Sequence, residues 1–163
     1  MVKKMENIHP RVRIGTAFEC GFNIVIDDDV RIGSMVSLGH GVVLRKGTRV
    51  ANFVTIDEYT VTGGACLIGE NVNIGTGCFI SRGVIINDEC EIGHHVVIDE
   101  GVNIGYGVNI ISGTHVKKDI AGFAPEEYLP LAFDVFDRKR YLEGKVGDAE
   151  TFKHRDRTRE VTS

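Results

Sequence analysis

The chain has 163 residues, 42% hydrophobic and 26% charged, which is the composition of one ordinary globular domain. A net charge of -4 argues against a general nucleic-acid binder, and no apolar run is long enough to span a bilayer. Its 20 glycines, without a single tryptophan, suggest many tight turns around a narrow core.

The first residues, Met1 to Glu6, lack the apolar stretch of a signal peptide, which predicts a cytoplasmic protein. From Ile8 onward an aliphatic residue recurs every sixth position: Ile8, Ile14, Ile26, Ile32, Leu38, Leu44, Val50, Ile56 and on to Ile110 and Val116. Only Cys20 and Thr62 interrupt it. Two positions earlier runs a second register of small apolar residues, among them Val12, Val30, Val42, Val54, Val72, Val84 and Val96. Cys66, Cys78 and Cys90 fall on this register and read as small core residues of a reducing compartment.

The residue after each aliphatic is often glycine, as at Gly15, Gly33, Gly39, Gly69 and Gly105, or else Asp27, Asp57, Asn87 or Asp99. These are residue types that tolerate a left-handed backbone, so a turn residue of positive φ is expected there. Inward residues two apart mark a short strand. A period of six is too short for a strand, a helix and a return, so the chain must coil as a solenoid whose stacked turns bury a common core.

Units such as Val12-Arg13-Ile14-Gly15, Val30-Arg31-Ile32-Gly33, Val72-Asn73-Ile74-Gly75 and Val102-Asn103-Ile104-Gly105 resemble those of the hexapeptide transferase superfamily. The resemblance covers about residues 6–118. It implies an all-β fold, a left-handed parallel β-helix of triangular section with three hexapeptides per coil. The hand is implied by the family alone, since ordinary parallel crossovers are right-handed.

Residues 18 apart then stack at about the strand spacing of 4.8 Å. One outward column reads Val25, Val43, Val61, Phe79, Val97, His115. A second reads Glu19, Ser37, Thr55, Asn73, Glu91, Asn109. A third reads Arg13, Arg31, Arg49, Leu67, Ile85, Asn103. The first would be a large exposed apolar stripe on a monomer. Since the family usually forms trimers, a homotrimer through the Val25, Val43, Val61, Phe79 and Val97 face is expected; cover by the C-terminal segment is the alternative. Arg31 and Arg49 in the third column suit a substrate phosphate or carboxylate, or else a solvated stripe. At one corner, Asp27-Asp28 lies against Arg45-Lys46, and Asp99-Glu100 against Lys117-Lys118, as a surface ladder of opposite charges.

The resemblance also implies a coenzyme A-dependent acyltransferase with acetyl-CoA as co-substrate and a histidine base at a coil corner. Two stretches match the local pattern of several UDP-sugar acyltransferases: Leu38-Gly39-His40-Gly41-Val42-Val43-Leu44 and Ile92-Gly93-His94-His95-Val96-Val97-Ile98. Stacking by 18 puts Glu58 one coil from His40, with Asp57 beside it, whereas His94 has Thr76 and Ser112 as column neighbours. His40 is therefore the expected catalytic base, Glu58 its orienting carboxylate, and Asp57 a substrate-binding residue. His94, His95 and His115 invite comparison with the γ-class carbonic anhydrases, but Thr76 and Ser81 stand where that pattern needs histidines, so no metal is expected.

Past Val116, Lys117 and Lys118 suit coenzyme A phosphates, and Gly122-Phe123-Ala124-Pro125 resembles the closing turn of hexapeptide acetyltransferases in a different order. A closing segment and helix are expected over 119–144, from Pro130 to Gly144, and a polar tail over 145–163. Three functions compete: an acyltransferase for a sugar or other small amine or alcohol, a non-catalytic solenoid scaffold, and a metal-dependent lyase.

Overall fold

The computed structural model describes residues 7–126 of the chain. Among these, the secondary structure is all strand, in two-residue pieces from Arg13–Ile14 to His115–Val116. Each piece is one of the predicted pairs, an outward residue followed by the inward aliphatic. The aliphatic side chains, from Ile26 and Ile32 to Ile104 and Ile110, are buried with the valines of the second register in one continuous core.

The strands form three six-stranded parallel sheets, and consecutive strands along the chain belong to consecutive sheets. Pairing is between residues 18 apart: Arg13 with Arg31 on the arginine face, Glu19 with Ser37 on the polar face, Val25 with Val43 on the valine face. The same step joins Val43 to Val61, Val61 to Phe79 and Phe79 to Val97. The chain is thus a solenoid of about six turns. The expected helix from Pro130 to Gly144 and the expected tail lie outside the described residues.

The turns differ from expectation. The residues of positive φ come three after each aliphatic, not directly after it: Ala17, Asn23, Asp29, Met35, Phe53 and Tyr59 among others, with Gly41, Gly47, Gly77 and Gly83 in equivalent places. The glycines that follow the aliphatics have another cause. A Cβ on Gly39 would lie 2.6 Å from the Glu58 nitrogen, and one on Gly63 would lie 2.5 Å from the Arg82 nitrogen. Glycine is needed there because adjacent coils approach too closely for a side chain.

The solenoid also runs past the expected boundary at 118. Ile120 bridges to Ile104, sixteen residues back rather than eighteen. The Ile120 N–H donates to the Asn103 carbonyl at 3.0 Å, the Gly105 N–H donates to the Ile120 carbonyl at 2.8 Å, and Asp119 Oδ1 accepts from the Asn103 N–H at 2.8 Å. A step of six from Val116 lands on Gly122, so the two-residue shortening hid this rung.

Interior polar groups follow a rule of their own. Thr48 Oγ1 donates to the Gly63 carbonyl, Thr60 Oγ1 to Gly75, Cys66 Sγ to Ser81, Cys78 Sγ to Gly93 and Cys90 Sγ to Gly105, each fifteen residues ahead. The three thiols are free and buried, as expected of core residues, and do the same hydrogen-bonding work as the two threonines. Burial pushes the Cys66 and Cys90 thiols from 9.0 up to about 11 and raises that of Cys78. They are protonated at neutral pH, which suits packing and not nucleophilic attack.

Candidate active site

The corner between the polar and valine faces carries the column Phe22, His40, Glu58, Thr76, His94, Ser112. Glycines leave the space for it: a Cβ on Gly21 would lie 2.7 Å from the His40 nitrogen. The exposed His40 ring stacks parallel to Phe22, with centroids 5.3 Å apart and an interplanar angle of 2°. The Phe22 N–H donates to His40 Nδ1 at 2.7 Å, and the Thr76 N–H donates to His94 Nδ1 at 2.9 Å.

These bonds belong to a series. Ser112 Oγ accepts from the His94 N–H at 2.8 Å, and at the next corner Ser34 Oγ, Asn52 Oδ1 and Asp88 Oδ1 accept from Thr16, Ser34 and Glu70. Each side chain caps the turn N–H of the coil eighteen residues earlier, a donor that no strand satisfies.

The series fixes the state of the His40 ring. A backbone N–H only donates, so Nδ1 carries the lone pair and the neutral ring holds its proton on Nε2. His40 therefore presents an N–H outward. A base at Nε2 needs the opposite tautomer. Glu58 does lie one coil on, since the Tyr59 N–H donates to the His40 carbonyl at 2.8 Å. Among the described residues, however, no hydrogen bond or ion pair joins the Glu58 carboxylate to His40; Phe22 holds the ring instead. Asp57 and Glu58 are both half-buried at this corner.

The other expected site residues are not brought together with His40. Arg31 and Arg49 stack in one sheet on the arginine face, which does not meet the His40 corner. Arg49, 13% exposed, donates to the carbonyl of Gly47 at 3.1 Å and also to that of Asp29, and lies 3.4 Å from the Asp29 carboxylate. Asp29 is thus a counter-charge for Arg49. Lys117 and Lys118 are exposed on the last coils, four rungs or roughly 19 Å along the axis from the level of His40. The charge ladder is half as expected. Arg45 lies 3.4 Å from Asp27, but Asp99 is met by His115 Nε2 at 2.6 Å, not by the lysines.

His94, His95 and His115 do not converge: His94 caps a turn, His95 packs over Gly77, and His115 holds Asp99. Among the described residues, no three metal-ligating side chains gather in one place. Nor is any described helix long and apolar enough to cross a membrane.

A shallow cleft of about 560 Å³ opens at the first coil, lined by Asn7, His9, Val25, Asp28 and Lys46 among others. Desolvation there opposes ionisation of Asp28, but the Arg11 guanidinium and the His9 ring outweigh it and hold the carboxyl below its usual range. One further residue near His40 is not singled out by the spacing. Tyr59 is an aromatic at a turn position that the neighbouring coils fill with Gly41 and Gly77, a contrast visible in the sequence once the true turn position is known.

No family model matches the chain, and no curated protein matches it. Solved structures do. WeeI from Acinetobacter baumannii AYE is 21% identical over 71% of this chain and 51% of its own, with a TM-score of 0.43, so the chain spans about half of that protein. A hexapeptide transferase family protein from Anaplasma phagocytophilum is 19% identical, covering 84% of this chain and 95% of that one, with a TM-score of 0.38. The UDP-N-acetylglucosamine acyltransferase from Campylobacter jejuni is 16% identical over 92% and 82%, with a TM-score of 0.43. The chain is a parallel β-solenoid of hexapeptide repeats, and hexapeptide transferases and acyltransferases are among its structural neighbours.

Proposed function

We propose that the chain is an acyltransferase that moves an acetyl group from coenzyme A to a small amine or alcohol, at clefts between the subunits of a homotrimer. One observation carries this reading: His40, held in a single orientation with its Nε2–H outward, stands on the corner that borders an exposed apolar sheet face. Phe79 on that face is 50% exposed, and Val25, Val43, Val61 and Val97 continue the stripe. A neighbouring copy covering the stripe would turn the corner into one wall of a cleft. The resemblance of the repeat units to hexapeptide transferases supports the same reading.

On this reading the tautomer of His40 suggests the roles. The acceptor nitrogen or oxygen attacks the thioester carbonyl carbon. His40 Nε2–H donates to the carbonyl oxygen as it gains charge, a contribution of about 10²–10³ in rate. Glu58 takes the proton released by the nucleophile, the carbon–sulfur bond breaks, and the thiolate leaves and is protonated. Lys117 and Lys118 from the far coils are proposed to meet coenzyme A phosphates, and Asp57 the acceptor. Arg31 and Arg49 enter only through a neighbouring subunit's face.

Release of free thiol from acetyl-CoA, followed over a panel of amines and sugars, tests this. His40→Ala is expected to lose about 10²–10³ in turnover, and His40→Gln, which keeps an N–H donor, to retain more than alanine. Equal loss in both would restore the role of base. No thiol release with any acceptor would favour the second reading, a non-catalytic scaffold. That reading has its own support: turn capping alone accounts for His40 and His94 alongside Ser34, Asn52, Asp88 and Ser112.

A further inference from the structure

The exposed ring of Tyr59 points to a ligand platform. Its φ of 61° is the left-handed turn conformation of the repeat, shared by nine other described non-glycine residues, but the coils on either side use Gly41 and Gly77 at this place. The ring is not placed there to fill the core, because Tyr59 is 67% exposed. Instead it folds back along the corner and lies over Gly41, the residue that follows His40. A Cβ on Gly41 would come within 2.7 Å of Tyr59 Cε1, so glycine is what lets the ring settle. What sets Tyr59 apart from Phe53, another exposed aromatic at the same kind of turn, is its place beside His40 and Glu58.

We infer that Tyr59 is a stacking platform for the ring of a sugar acceptor, a deeper reading that rests on the proposed acyl transfer. The ring lies beside Gly41, and most of its surface is left exposed for a ligand. The residue before it, Glu58, supplies at the same corner the acceptor for the attacking amine or hydroxyl, while His40 Nε2–H serves the thioester. An apolar face bordered by such an acceptor suits a ring bearing hydroxyl groups. Tyr59 binds and positions; it takes no part in bond making.

The test uses the whole chain, with tyrosine labelled by carbon-13, and glucosamine as the probe. The Tyr59 ring resonance, identified by its loss in Tyr59→Phe, is expected to shift saturably on titration. By calorimetry Tyr59→Phe keeps affinity within a few-fold. Tyr59→Gly loses at least tenfold while its Tm stays level or rises, because glycine accepts the left-handed turn. Phe53→Gly, a change at the same kind of turn on another corner, leaves binding unchanged. The proposal is overturned by a Tyr59 resonance that ignores glucosamine, by wild-type binding in Tyr59→Gly, or by a change in assembly mass in that variant. If glucosamine binds but thiol release is absent, acyl transfer falls and the platform stands. If thiol is released while the ring stays silent, the platform falls alone.

Discussion

A single hydrogen bond, from the Phe22 N–H to His40 Nδ1, decides what His40 can do. Sequence spacing brought Glu58 to the right coil and suggested that it would orient the ring. Spacing cannot show which atom captures the ring nitrogen, because the competing donor is a backbone N–H that every corner exposes. Nitrogen-15 spectra at neutral pH are expected to show His40 Nδ1 unprotonated and Nε2 protonated; the reverse assignment would return His40 to the role of base. The cysteines yield a second prediction. Cys66 and Cys90 titrate near 11 in the folded chain against 9.0 in the unfolded one. Below pH 9 both states hold the protons and the stabilisation is complete. Between pH 9 and 11 the unfolded chain loses them first, so stability falls as pH rises. Cys66→Val with Cys90→Val should flatten this alkaline loss in denaturant titrations.

Among the turns and strands, the aliphatic register made the two-residue strands and their sheets legible, because burial of one side chain in six is a strong and regular demand. The turns were misread by two positions. Glycine is chosen after the aliphatics for lack of room, and the left-handed residue that follows tolerates Met35, Phe53 or Tyr59, which no glycine rule would find. Two substitutions separate these causes. Gly63→Ala puts a Cβ against the backbone of Arg82 and should cost about 1–3 kcal/mol. Gly107→Ala meets nothing within 4 Å but sits at φ +72°, so its cost, about 1–2 kcal/mol, is conformational alone. Chemical denaturation measures both. The last rung, Ile120 on Ile104, escaped the register because its coil is two residues short, and Ile120→Ala should loosen that end while leaving earlier coils intact.

For the molecule as a whole, stacking by eighteen set Val25, Val43, Val61, Phe79 and Val97 on one sheet, as the arithmetic required. The same stacking sets Arg31 and Arg49 on another face and leaves Lys117 and Lys118 four rungs along the axis from His40. The proposed cleft exists only where a second copy covers the valine face. Sedimentation equilibrium of the wild-type chain tests it most directly: the proposed homotrimer through the valine face predicts a particle of three chains, each of 17.9 kDa, that Val61→Glu reduces to monomer. A wild-type monomer of 17.9 kDa, or a trimer indifferent to Val61→Glu, would contradict it.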